Sequence, residues 1–304
     1  MLNALLNFLN EKDVEYKVRP RMAEISPVGI GACAMLYALP STNKKLVELI
    51  EFANLYSIGY IVVGGMSNIL PQDDDYPGLI ISTKKVNKIT FDQNTVKAEA
   101  GVYLPQLILA ARKRSLGGAE ALFGIPGTLG GALVSNAGAF GKSISDFFIS
   151  ADCYDPETKE MITLFPEQLD FKYRSSSVKK SGLVVLDVCL RLESLPEHII
   201  DSEIARFCDI RKQAQPIGER SLGSVFKRHC GVGAGYYIDK CGLKGASCGG
   251  AEISKKHAGF IVNRGNATAR DYLDLINRAK ESVKEKFGIE LDLEIEIMSN
   301  LDKK

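Results

Sequence analysis

Apolar residues recur at helical spacing in several stretches of this chain. Leu2, Leu5, Leu6 and Leu9 predict a short amphipathic helix over 2–12. Leu46, Val47, Leu49, Ile50, Ala53 and Leu55 predict another over 43–57. Residues 104–116 read as a third, with Arg112, Lys113 and Arg114 near its C-terminal end, where the macrodipole favours cations. Later helices are expected over 199–212, as one turn at 236–241, and over 271–287. Between them lie short β-branched runs. Strands are expected over 28–39, 60–63, 78–83 and 183–192. Two hairpins are expected: 88–92 with 95–100 around Gln93-Asn94, and 148–154 with 159–164 around Asp155-Pro156-Glu157. A last strand is expected over 292–298. There Glu290, Asp292, Glu294 and Glu296 alternate, and period two puts them on one solvated face. The acidic run 72–76 reads as a solvated loop. Helices broken by short strands and hairpins describe an α+β arrangement, not a doubly wound sheet.

Composition narrows the function class. A chain of 304 residues predicts two or three domains at about 100–200 residues each. A net charge of +1 gives no general attraction to nucleic acid or membrane surfaces. The seven cysteines are scattered, with no C-x-x-C pair. That pattern fits a reducing cytoplasm and argues against a disulfide framework or a zinc site. No apolar run approaches the ~20 residues that span a bilayer, and the N-terminus lacks the basic start and apolar core of a signal peptide. The expectation is a cytoplasmic protein without metal, nucleic acid or membrane insertion.

Glycine changes the picture most. Residues 124–141 read GIPGTLGGALVSNAGAFG. Glycine tolerates positive φ and lets another group approach the backbone closely, so such a run can gather main-chain N–H groups into an anion-binding nest. A tight loop between closely packed elements is the plainer alternative. The Rossmann triplet G-x-G-x-x-G is absent. The P-loop fails because Asn136 stands where its first glycine belongs. A second glycine loop, Gly64-Gly65-Met66-Ser67-Asn68, follows the 60–63 strand; its plainer reading is a strand-ending turn.

Taken together these stretches resemble the UDP-N-acetylenolpyruvoylglucosamine reductase (MurB) family of bacteria. The similarity runs over roughly 45–298 in continuous order and is most specific in Asn136-Ala137-Gly138-Ala139. The short span between Tyr173-Arg174 and Gly223-Ser224 resembles the family's shorter form, which lacks an extra substrate loop. The resemblance implies a two-part FAD-binding unit (PCMH-type), 1–84 and 85–193, followed by a third α+β substrate-binding domain, 194–304. It implies that FAD is held by Gly64, Gly65, Met66, Ser67 and Asn68, and by Gly124, Ile125, Pro126, Gly127, Thr128, Gly130, Gly131, Asn136, Ala137 and Gly138.

It also assigns chemistry. Tyr173-Arg174-Ser175 matches the family's Tyr-Arg motif, where Arg174 would clamp a carboxylate and spread its developing charge. Gly223-Ser224-Val225-Phe226-Lys227 matches Gly-Ser-x-Phe-Lys, with Ser224 as proton donor to a very basic carbon. Glu294 aligns with the family's C-terminal glutamate and would carry or share a proton. Tyr173, Lys227, Arg228 and His257 would contact substrate. Each has a plainer reading in isolation: a surface arginine, a turn-capping serine, a solvated acidic face, a core histidine. The chain departs from the family pattern at Ala32, Met66, Arg228-His229, Gly259 and Leu293. Met66 stands where the family has glycine and is expected to crowd the cofactor if that backbone needs positive φ.

The implied reaction is reduction of UDP-N-acetylglucosamine enolpyruvate to UDP-N-acetylmuramate, with NADPH as co-substrate, in peptidoglycan precursor synthesis. Two other classes remain at this point: another FAD oxidoreductase on the same scaffold, or a non-catalytic paralogue binding FAD or a UDP-sugar. Joint retention of Arg174, Ser224 and Glu294 argues against both. Oligomeric state is not legible in the sequence.

Overall fold

The computed structural model describes residues 2–298; residue 1 and residues 299–304, the outer ends of the expected first and last domains, lie outside the described residues. The chain divides into two compact units. One combines 1–18, 36–65 and 78–210; the other combines 19–35, 66–77 and 211–304.

The first unit holds two sheets. Its four-stranded sheet runs in the order Glu15–Val18, Ala34–Leu39, Tyr76–Ser82, Tyr60–Val63. The first pair is antiparallel and the last parallel. Helix Asn43–Leu55 supplies the crossover. Thr42 caps it by accepting from the Lys45 N–H at 3.2 Å. It buries Leu46, Leu49, Ile50 and Ala53, the apolar face expected from the pattern. The five-stranded sheet runs Glu160–Leu164, Phe148–Asp155, Val184–Arg191, Thr95–Glu99, Ile89–Asp92, and every pairing is antiparallel. Helix Leu104–Arg112 buries Leu104, Leu107, Ile108 and Ala111 in a core shared with Leu129, Leu133, Val188 and Leu190.

The second unit is built on the antiparallel sheet Ser221–Ser224, Phe260–Asn263, Ala251–Ile253, Ser247–Cys248. Helix Ala269–Phe287 buries Tyr272, Leu275, Ile276, Ala279 and Val283. Thr268 and Asp271 form its capping box, and Gly288 ends it at φ 68°. Val28, Ile30 and Leu70 join the same core, so the two early segments are integral to this unit.

Four local expectations change. The strand expected over 28–39 begins at Ala34, because Gly29 and Gly31 turn the backbone at φ 67° and 120°. The helix expected over 104–116 ends at Arg112; Ser115 sits at φ 55°, and Leu116–Gly117 pairs with Glu193–Ser194. The strand expected over 292–298 shrinks to Glu296–Ile297, which pairs in parallel with Ile69–Leu70. Glu290, Asp292, Glu294 and Glu296 therefore do not share one strand face. In the expected 72–76 loop, residues 73–75 are exposed but not merely solvated, and Tyr76 is buried as the first residue of strand Tyr76–Ser82. Asp73 accepts from the Ala269 and Arg270 N–H groups at 2.7 and 2.9 Å, and Asp75 accepts from the Cys33 N–H and pairs with Arg19. No helix among the described residues is long and apolar enough to cross a membrane.

Candidate active site

In the first unit, the Tyr60–Val63 strand ends at Gly64 directly against the long glycine stretch. A Cβ on Gly64 would lie 2.1 Å from Thr128 Oγ1, and one on Gly65 would lie 3.4 Å from the Tyr103 ring. Glycine is required at 64 because no side chain fits. Ser82 Oγ donates to Gly64 O at 3.4 Å. On the other side, Leu104 N–H donates to Gly127 O and Leu129 N–H to Val102 O, at 3.1 and 2.8 Å. Gly130 packs on Ala100, where a Cβ would come within 2.8 Å of the alanine methyl.

Thr128 is 2% exposed, and its Oγ1 has no hydrogen-bond partner among the described residues. A buried hydroxyl left unsatisfied costs about 1–3 kcal/mol. An acceptor from outside the chain, such as a phosphate oxygen, would satisfy that hydroxyl. These residues fit a flavin dinucleotide. Tyr103 and Tyr37 lie alongside; burial pushes both phenols up, so they remain protonated donors near neutral pH. The sequence reading missed Ser82 and Tyr103. Both come from segments distant in sequence, and neither carries a local signal.

Tyr173 and Arg174 form the tip of a tight turn. Lys172 N–H donates to Ser175 O at 2.9 Å, and Ser175 N–H donates to Lys172 O at 3.1 Å. Arg174 sits in the left-handed region at φ 55°, its guanidinium 5.2 Å from the Tyr173 ring centroid. Asn136, at φ 42°, donates its Nδ2–H to Lys172 O at 3.1 Å and accepts from the Ser145 N–H at 3.2 Å.

The second unit carries the other chemical groups. Gly223, at φ 76°, turns the chain into Ser224, whose Oγ donates to Phe226 O at 3.1 Å. The next residues pair with the C-terminal segment. Phe226 bridges Leu293, Glu294 N–H donates to Val225 O at 2.8 Å, and Lys227 N–H donates to Asp292 O at 2.9 Å. Ser224 and Glu294 are thus brought onto adjoining backbone, 70 positions apart in sequence. Asn68 Nδ2–H donates to Glu294 O at 3.0 Å, and Glu296 N–H donates to Asn68 O at 2.8 Å. Met66 takes φ 54° and is 2% exposed. The backbone there does adopt the conformation that suits glycine, and the side chain is buried.

Arg228 and His229 open a tight turn closed by reciprocal His229–Val232 hydrogen bonds of 2.9 Å, and Arg228 donates to Gly231 O at 3.4 Å. His257 Nδ1 accepts from the Gly259 N–H at 3.1 Å, and its ring packs edge-on against Phe260 at 4.9 Å. A Cβ on Gly259 would lie 3.0 Å from the imidazole, a tight contact. Burial pushes the His257 imidazole down, so it is neutral at pH 7 with its proton on Nε2.

Known protein families match two parts of the chain. Residues 215–298 match the family model for the UDP-N-acetylenolpyruvoylglucosamine reductase C-terminal domain, and residues 34–163 match an FAD binding domain. The chain is 38% identical over 291 residues to UDP-N-acetylenolpyruvoylglucosamine reductase of Clostridium perfringens, covering 96% of this chain and 95% of that one. It is 38% identical over 294 residues to the Streptococcus pneumoniae protein of the same name, covering 97% of each. The crystal structure of the Thermus caldophilus reductase superposes with a TM-score of 0.78 at 32% identity, covering 93% of this chain and 98% of that one. The chain belongs to the UDP-N-acetylenolpyruvoylglucosamine reductase family.

Proposed function

We propose that this protein reduces the enolpyruvyl ether of UDP-N-acetylglucosamine enolpyruvate to the lactyl ether of UDP-N-acetylmuramate, with NADPH as co-substrate and FAD as cofactor. The step belongs to peptidoglycan precursor synthesis, and the protein works in the cytoplasm. The observation that supports this reading is the backbone pairing of 225–227 with 292–294, which brings the segments of Ser224 and Glu294 side by side in a chain of this family.

Bound at the two glycine loops, 64–68 and 124–138, FAD would supply the hydride-carrying redox centre. The chain's own residues do the rest. Arg174 holds the substrate carboxylate and stabilises the charge that spreads into it when the terminal enolpyruvyl carbon gains hydride. Glu294 shares a proton with that carboxylate. Ser224 then delivers a proton to the adjacent carbon. Tyr173, Lys227, Arg228 and His257 orient the UDP-sugar. Residues 1–84 and 85–193 serve the cofactor and 194–304 the substrate, with 19–35 and 66–77 packed into the same unit as Ser224, Lys227, Arg228, His257 and Glu294.

The test is spectroscopic. The purified, FAD-loaded protein is expected to bleach under anaerobic NADPH and to regain its colour on addition of the enolpyruvyl substrate. Bleaching without recovery by that substrate, together with bleaching of the oxidised flavin by a sugar or alcohol in place of NADPH, would refute the assignment.

A further inference from the structure

We propose that Asn136 is a positioning residue for Arg174: the amide at the end of the glycine stretch holds the turn that presents the guanidinium. The proposal rests on the reading of Arg174 given above. Asn136 is 7% exposed, and its side chain is committed to backbone at both ends. The Nδ2–H donates to Lys172 O, and Oδ1 accepts from the Ser145 N–H. Lys172 is the first residue of the tight turn with Arg174 near its tip.

That turn needs outside support. An arginine at φ 55° is held in a conformation that costs an L-residue about 1–2 kcal/mol, so the isolated turn would relax out of it. Two side-chain anchors oppose the relaxation. One is the Asn136 amide on Lys172 O. The other is Ser176 Oγ, which donates to Val134 O at 3.0 Å. Both tie the turn to 134–136, the segment that follows helix Leu129–Val134. Asparagine suits the place for a second reason. It tolerates its own left-handed backbone at φ 42° better than any residue except glycine. One residue thus ends the glycine stretch and fixes the direction of a side chain 38 positions away.

The test separates positioning from cofactor contact. Asn136→Gly keeps the backbone conformation and removes the amide. Asn136→Asp keeps the acceptor for the Ser145 N–H but sets an oxygen against Lys172 O. Both variants probe the amide directly, and Ser176→Ala, which removes the other anchor and lies outside both glycine loops, is expected to retain FAD and to bleach with NADPH within about two-fold of the parent rate. Reoxidation by the enolpyruvyl substrate should slow about 10- to 100-fold, the scale of a misplaced catalytic group. In the holoprotein, hydrogen exchange at 172–176 should accelerate while exchange at 124–131 stays unchanged. Combined with Arg174→Ala, Asn136→Gly should add less than about two-fold further slowing, because the two act through one group. Loss of FAD or equal slowing of both half-reactions in Ser176→Ala, or, in the Asn136 variants, an unchanged substrate half-reaction or full additivity with Arg174→Ala, would each overturn the proposal. Arg174→Ala alone tests the underlying reading: no slowing there removes the role of Arg174 itself, whatever Asn136 does. If the Asn136 variants fail to fold, Ser176→Ala removes the other anchor outside the glycine stretch, and the same selective slowing decides the matter.

Discussion

A serine hydroxyl is a weak acid, so Ser224 is useful only against a carbon made strongly basic by hydride addition. That sets its timing. NADPH-driven bleaching needs no proton from Ser224, whereas the substrate half-reaction does. Ser224→Ala should leave the first near the parent rate and slow the second by roughly 10²-fold or more, the scale of a lost general acid. Ser224→Cys should recover part of it. Stopped-flow measurement of both halves checks this, and equal slowing would make Ser224 a turn residue, a role its bond to Phe226 O already permits. His257 makes a prediction about pH. Burial lowers its folded pKa below the ordinary 6.5, so the unfolded chain binds the proton more readily. Its contribution to stability is full above that value. It is lost as pH falls below it, levelling once the folded imidazole is itself protonated and Nδ1 no longer accepts from Gly259. His257→Asn, which keeps an acceptor and does not titrate, should flatten the fall in urea midpoint between about pH 7 and 5. An unchanged slope would assign the acid sensitivity to other groups. At Met66 strain and packing oppose each other. Glycine would relieve its positive φ, worth about 1–2 kcal/mol, but would empty a buried site worth about 2–5 kcal/mol. Packing therefore outweighs strain.

Among the elements, helix Ala269–Phe287 shows how far a local pattern reaches. Its apolar face, its Thr268–Asp271 capping box and its Gly288 stop are all written within the stretch itself. Asp73 is not. Its carboxylate reaches the helix N-terminus from nearly 200 positions earlier and takes two of the N–H groups that the helix leaves open. Asp73→Ala should destabilise the protein by about 1 kcal/mol, as for a lost cap. Part of that loss should fade at high salt, where the charge–dipole contribution is screened. Asp73→Asn should lose only the salt-sensitive part. Urea denaturation at two ionic strengths measures both, and a salt-independent loss in Asp73→Asn would contradict the dipole argument. The strands were legible wherever apolar residues alternate between turns, as in Phe148–Asp155 with Glu160–Leu164. The 292–298 stretch misled because alternation is also what a segment shows when it meets different partners at successive residues, here Val225–Lys227 and then Ile69–Leu70.

For the whole molecule, two separate apolar cores define two units, and each is assembled from three pieces of chain. Neither of the glycine loops proposed to hold FAD contains a histidine or a cysteine. FAD should therefore be held without a covalent bond. Denaturing the loaded protein should release all the flavin into the supernatant, and flavin retained on the chain after gel filtration in denaturant would contradict this. FAD should also raise the melting temperature in proportion to the logarithm of its excess concentration. By itself the sequence determined the α+β class, most element positions and the family, and through the family it named the candidate groups for the chemistry. These follow from spacing and from contiguous motifs such as Gly223–Lys227 and 124–138, whose physics is local. Tertiary structure alone decided the rest. The orphaned Thr128 hydroxyl beside Gly64, the Asn136 amide on Lys172, the Asp73 cap and the pairing of Ser224's segment with that of Glu294 all join residues far apart in the chain. A hydrogen bond requires donor and acceptor within about 3 Å, and no one-dimensional pattern records which distant carbonyl will arrive there.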